Sequence, residues 1–249
     1  MIDSVRNTVM AVLNKNNYGP ISPDDFNFLA KQAQLDIFKE YFHNYNKQLQ
    51  KENAMVSGSG DADVKRIYEL TIERFKTSAL LTYDAGNGNF YLPSIATTGD
   101  EYYRIDRIDC YDPNAPANFL AEADKVQSSK ENAIVNSLIM APTSTFPIYV
   151  LEGSRLKIYP SSYRASSLVK CHYVRYPLDP KWTYSTLTNG EPIFNQSLGD
   201  YQDFELLPHC EPELVDKILK YAGLSIRDEL VVSMLSKEED RDIVTKHNG

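Results

Sequence analysis

At 249 residues, with 42% hydrophobic and 24% charged side chains, the chain has the make-up of an ordinary globular protein, long enough to bury a real core as one large domain or two small ones. No run approaches the roughly 18 apolar residues that a membrane-crossing helix needs. The opening Met1-Ile2-Asp3-Ser4-Val5-Arg6 also lacks the basic-then-apolar order of a secretory signal, so synthesis in a cytoplasm and no membrane partner are expected. A net charge of −8 weighs against a dedicated nucleic-acid binder, because Lys and Arg supply most of the affinity for phosphate, but it is compatible with an acidic wall that does not hold DNA.

The first predicted element is a helix from Ile2 to Leu13, with Ile2, Val5, Val9, Val12 and Leu13 on one stripe and Tyr18-Gly19-Pro20 ending it. Ser22-Pro23-Asp24-Asp25 then supplies an N-cap, a proline at the first helical position and two carboxylates where the helix dipole favours them. The helix so opened carries Phe26, Leu29, Ala30, Ala33, Ile37, Phe38, Tyr41 and Tyr45 on one face and runs for about seven turns. Ser57-Gly58-Ser59-Gly60-Asp61 reads as a flexible connection. Val64, Ile67, Tyr68, Thr71, Phe75 and Leu80 predict a third, weaker helix after it.

Asp84 to Asn89 is a turn cluster and Phe90 to Pro93 a brief extended run. Glu101 to Tyr111 reads as a strand in which neither face is cleanly apolar, the pattern of an edge strand or of one whose outer face meets another subunit. Glu122 to Ser137 predicts a helix, with a polar break at Gln127 to Lys130. Phe146 to Trp182 predicts a three-strand meander. Its first two strands join at Gly153-Ser154, a two-residue loop with glycine first, and it ends in an extended arm at Pro177 and Pro180, which cannot donate to a ladder. Thr183 to Tyr201 reads as a long loop, Asp203 to Leu207 as one more strand, and Glu211 onwards as a closing helix with a kink near Gly223. The charged stretch 237–249 reads as a tail.

The expected fold is therefore α+β: N-terminal helices packed with a mostly antiparallel β-meander domain and a C-terminal helix. Its regions are a helical one over 1–82, a β-rich one over 83–210 with one inserted helix, and a helix over 211–236 lying on the N-terminal helices. Little chemistry is visible. The four histidines, His43, His172, His209 and His247, have no ligand spacing, and no phosphate loop, dinucleotide fingerprint or nucleophile elbow is present. Arg104-Ile105-Asp106-Arg107-Ile108-Asp109 alternates in sign as a surface ion-pair ladder does. Three widely spaced cysteines, Cys110, Cys171 and Cys210, argue for buried thiols in a reducing compartment. No catalytic, metal or cofactor site is expected. The 17 tyrosines, beside 10 Phe and 1 Trp, suit either subunit contacts or a β-core. Trp182 either folds back onto its own chain or anchors in a neighbour's pocket.

Three stretches together resemble the virion structural proteins of crAss-like and related Bacteroidetes phages, in particular their portal-vertex ring or head-to-tail connector proteins. They are Ile21-Ser22-Pro23-Asp24-Asp25-Phe26-Asn27 with Ala33 to Phe38, Pro147-Ile148-Tyr149 leading to Gly153 and Ile158-Tyr159-Pro160, and Tyr173 to Pro177 with Pro180-Lys181-Trp182. The resemblance implies a virion protein of the portal vertex and tail. It would form a ring of twelve copies of itself that contacts the portal and other ring or tail proteins, with DNA passing through without specific binding. The residues expected at the subunit interface are Arg104, Arg107, Tyr176, Pro177, Pro180, Trp182 and Tyr184. A glycan-binding adhesion module, whose tyrosines would stack on sugar rings, and a tail-associated hydrolase are the competing readings.

Overall fold

The computed structural model describes residues 1–15, 21–53, 62–188 and 190–226. Helices α1 (Ile2–Lys15), α2 (Pro23–Asn53) and α3 (Ala62–Glu73) come first, followed by strands β1 (Lys76–Leu80), β2 (Tyr83–Asp84) and β3 (Asn89–Tyr91). A single helical turn α4 (Ile95–Thr98), strands β4 (Tyr102–Asp112), β5 (Ala115–Glu122) and β6 (Asp124–Val126), and the short helix α5 (Glu131–Val135) form the middle. Strands β7 (Ile148–Glu152), β8 (Arg155–Tyr159), β9 (Val169–Arg175), β10 (Tyr184–Thr186) and β11 (Pro192–Phe194) and helix α6 (Glu211–Ile226) complete an α+β fold. The chain divides into a helical unit, 1–71 with 177–249, and a β unit, 72–176.

In the helical unit, α1 buries Ile2, Val5, Val9 and Leu13 at helical spacing. The start of α2 is fixed by Ser22, whose Oγ accepts the Asp25 N–H at 3.1 Å and donates to the Asp25 carboxylate at 2.7 Å. Phe26, Ala30, Ala33, Ile37 and Phe38 of α2 are buried, and α6, through Leu214, Ile218 and Ala222, packs against both α1 and α2. Helix α6 passes through Gly223 without a break in the helix. The predicted stop at Tyr18-Gly19-Pro20, the connection at Ser57 to Asp61, the extension of the last helix to residue 236 and the tail 237–249 lie outside the described residues.

The β unit holds two sheets, in strand order β1-β9-β4-β5 and β2-β3-β8-β7-β6, with every pair antiparallel except β6 and β7. Leu81, Phe90, Tyr149, Leu156 and Ile158 join Ile108, Cys110, Val169, Cys171 and Tyr173 in one core cluster, so both sheets contribute to it. The hairpin between β7 and β8 turns at Gly153-Ser154 with φ +59° at Gly153, a backbone state that glycine takes at little cost.

Several expectations are corrected. The third strand of the predicted meander, β9, belongs to the other sheet, where it lies between β1 and β4. Local sequence specifies that a strand forms, but its partner is chosen by long-range burial of Val169, Cys171 and Tyr173. Strand β4 is an interior strand, paired to β9 and β5. Its mixed faces come from register shifts between Tyr102 and Arg104 and between Ile105 and Arg107, which re-aim the side chains and break the period of two. The helical region ends at Glu73, since Lys76–Leu80 is strand β1, so Phe75 and Leu80 do not continue a helix to residue 82. The helix predicted from Glu122 to Ser137 is instead β6 and a helix only over Glu131–Val135. The loop predicted from Thr183 to Tyr201 contains the β10–β11 hairpin, and 203–207 forms no strand; beside it, only an isolated bridge joins Lys181 to Gln202.

Candidate interaction surface

Among the described residues no three His, Cys, Asp or Glu side chains are grouped as metal ligands would be. In the β unit, Asp109 is buried between Arg107, whose Nε lies 3.3 Å from Oδ1, and His172, whose Nε2 lies 2.9 Å from Oδ2 without a well-aligned hydrogen bond. Ser78 stands across from His172 on β1, which makes a row of Ser, His and Asp. The backbone N–H of Ser78 points to the sheet edge rather than to this row, and Arg107 occupies one side of the carboxylate.

Cys110, Cys171 and Cys210 are buried, and burial pushes Cys110 and Cys171 up to about 12 from the ordinary 9.0. Below pH 9.0 both thiols are protonated in the folded and the unfolded chain, and their contribution to stability is fully present. As pH rises from 9.0 towards about 12 the unfolded chain ionises and the folded one does not, so stability is lost. The stability advantage of the native chain over Cys171→Ala is therefore expected to shrink above pH 9.0. Thermal melts on either side of that pH check it, and an advantage constant with pH would contradict it.

The interface residues predicted from the sequence fall into separate places. Trp182 is 2% exposed and forms a centre of the helical unit. Its ring stacks on Tyr184 at 5.7 Å and Phe194 at 5.9 Å, and the Arg6 guanidinium sits 3.8 Å from its centroid. Burial holds the Arg6 pKa below its usual value. Nε1 of Trp182 donates to Asp3 Oδ1 at 2.9 Å. Asn27 clamps its backbone, Oδ1 accepting from the Trp182 N–H at 2.7 Å and Nδ2 donating to the Trp182 carbonyl at 3.2 Å.

The rest of the arm is held in the same way. Gln34, itself buried, donates to the Leu178 carbonyl at 2.7 Å, Glu205 accepts the Leu178 N–H at 2.7 Å, and the Glu205 N–H returns to Gln34 at 3.0 Å. Pro180 is buried and Pro177 half-buried. The expectation of an arm presenting Trp182 to a neighbour is thus corrected: Asp3 and Arg6 provide polar partners for an otherwise costly indole, Asn27 holds its backbone, and the arm closes on its own helices. Tyr176, in the β unit, is half-buried and meets Tyr103 edge to face at 5.2 Å. Arg104 and Arg107 are the exposed members of the set, on β4, each near an aspartate of its own strand.

The surface that stands out lies elsewhere in the β unit. Between α5 and β7, Leu138 is 103% exposed, Ile139 94%, Met140 65% and Phe146 75%. Such side chains are normally buried, and a group of them exposed on one loop is the kind of patch that contact sites carry. The loop is tied down rather than free. Ser137 Oγ accepts the Ile139 N–H at 3.3 Å and the Met140 N–H at 3.1 Å, and Thr143 and Phe146 exchange backbone hydrogen bonds at 3.3 and 3.2 Å. The buried Tyr163 hydroxyl donates to the Ser144 carbonyl and so anchors the loop to the core.

The chain matches no known family model and no curated protein. The reading therefore rests on the residues themselves. In the sequence Leu138-Ile139-Met140 is an apolar run directly before Ala141-Pro142, too short for a helix and stopped by proline. Sequence alone assigns such a run to a core. Its exposure is visible only in three dimensions. Among the described residues no helix is long and apolar enough to cross a membrane.

Proposed function

We propose that this chain is a phage virion structural protein, a ring (connector or adaptor) subunit of the portal vertex and tail that lines the DNA exit channel and joins neighbouring rings. The observation that carries the reading is the fixed loop with Leu138, Ile139, Met140 and Phe146 turned to solvent. An isolated protein gains nothing by exposing these side chains, whereas a subunit gains about 1.5 to 3 kcal/mol for each one buried against a neighbour. A preorganised loop also spends little entropy on docking.

Other features agree with this reading. Net charge of −8 suits a conduit that must let DNA slide without holding it. The exposed Arg104 and Arg107 of β4 supply polar contacts at the rim of such an interface. The stretches that resemble connector proteins include the capped start of α2 and the β7–β8 hairpin. The partners in this reading are eleven further copies, the portal and adjoining ring or tail proteins; the activity is structural, and no cofactor is needed. Electron microscopy of the purified chain at high concentration, alone and mixed with the portal, tests it. Closed rings with a central opening are expected, and isolated particles of single-subunit size in both samples would overturn it.

A further inference from the structure

Among the described residues, both outer strands of the four-stranded sheet are open edges: strand β1 pairs only with β9, and β5 only with β4. On β1, the Leu81 N–H binds the Val169 carbonyl and the Arg175 N–H binds the Phe75 carbonyl, so odd-numbered residues face β9. The N–H and C=O groups of Lys76, Ser78 and Leu80 consequently point out of the sheet. On β5, the Ala123 N–H binds the Ile108 carbonyl, which directs the backbone groups of Ala121 and Ala123 towards β4 and those of Glu122 outwards. Natural sheets guard such edges. The guard on β5 is Pro116, at the far end from Glu122.

We infer that the β5 edge of one copy pairs antiparallel with the β1 edge of the next, so that the four-stranded sheets join into one continuous sheet around the ring. The inference rests on the ring reading above and goes on to name the contact. Three features select this occupant. Placing Lys76 opposite Glu122 matches outward backbone groups with outward backbone groups at the Glu122 end of β5, beyond its register shift at Leu120, and it puts both side chains on the face away from the core. The same register pairs a cation with an anion and brings Leu80, 56% exposed, towards Phe119, 57% exposed. Finally, β1 runs opposite to β5 within one sheet, so head-to-tail pairing keeps β1 pointing the same way in every copy. A cyclic ring has that operator, with two different patches per subunit.

The experiment uses the full chain carrying both Lys76→Cys and Glu122→Cys, oxidised at high concentration and run without reductant, beside each single variant. The native thiols are buried and do not compete. A ladder extending beyond dimers in the double variant, and in neither single variant, is expected. A second measurement needs no substitution. Zero-length carbodiimide coupling of the native chain should yield a Lys76–Glu122 peptide link, which one copy cannot make, because three strand spacings of about 4.8 Å separate β1 from β5. Absence of both the ladder and the link overturns the inference. So does a dimer formed by Glu122→Cys alone, which would signal two β5 edges meeting across a twofold axis. Rings of the native chain in the absence of these products would sink the edge pairing and leave the ring reading standing; a native monomer both alone and with the portal would sink both.

Discussion

Trp182→Ala is expected to destabilise the helical unit by about 3 to 5 kcal/mol, the cost of emptying a large buried aromatic site. For a chain of this size that corresponds to a fall in melting temperature of roughly 6 to 20 °C. The loss is larger than that of one contact because Tyr184 and Phe194 lose their stacking partner, Asp3 loses the indole donor, and Arg6 loses the ring under its desolvated guanidinium. Phe26→Ala, on the buried face of α2, should cost about as much, which provides an internal reference for the same unit. Trp182→Phe should recover part of the stacking but leave Asp3 without its donor. Circular-dichroism melts of the three variants decide the matter. A normal melting temperature for Trp182→Ala, with assembly lost, would restore the exposed-arm picture that the sequence allows.

The second large effect is expected to appear in assembly and not in stability. Replacing Leu138, Ile139 and Met140 together by serine removes side chains that have almost no contact with the rest of the chain, so the melting temperature should move by no more than about 0.5 kcal/mol allows. If each contributes about 1.5 to 3 kcal/mol at a buried contact, and the contributions are less than additive, association should weaken at least ~100-fold. Sedimentation across a concentration series measures it. Unchanged association would place the contact away from this loop, and a large drop in melting temperature would mean that the loop serves the fold.

The parts of the structure legible in the sequence are those governed by local rules. The start of α2 could be read because Ser22, Pro23 and Asp25 act within one turn, and the β7–β8 hairpin because Gly153 takes the positive φ its turn needs. What could not be read depends on distant partners. Strand β9 has a clean inward row of Val169, Cys171 and Tyr173, yet nothing local says that the row joins β1 and β4 rather than β8. Strand β1 was hidden in a weak helical stripe because five residues are too few to separate a period of two from 3.6. The arm from Pro177 to Trp182 was correctly kept out of the β-sheets of the 72–176 unit, but its destination was set by Asn27, Gln34 and Glu205, far away along the chain. The candidate surface was least legible of all, since Leu138 to Met140 differs from a core run only in that nothing in the chain covers it.

In the proposed reading this chain works as one of many identical subunits. The most direct test of that reading is native mass spectrometry of the full chain, alone and with the portal, beside the Leu138, Ile139 and Met140 serine variant. The account predicts a single closed species of about twelve copies for the native chain, formed alone or on the portal as heterologous contacts close, and a monomer for the variant. A native chain that remains a monomer at every concentration, alone and with the portal, is the opposite result and rules the ring out.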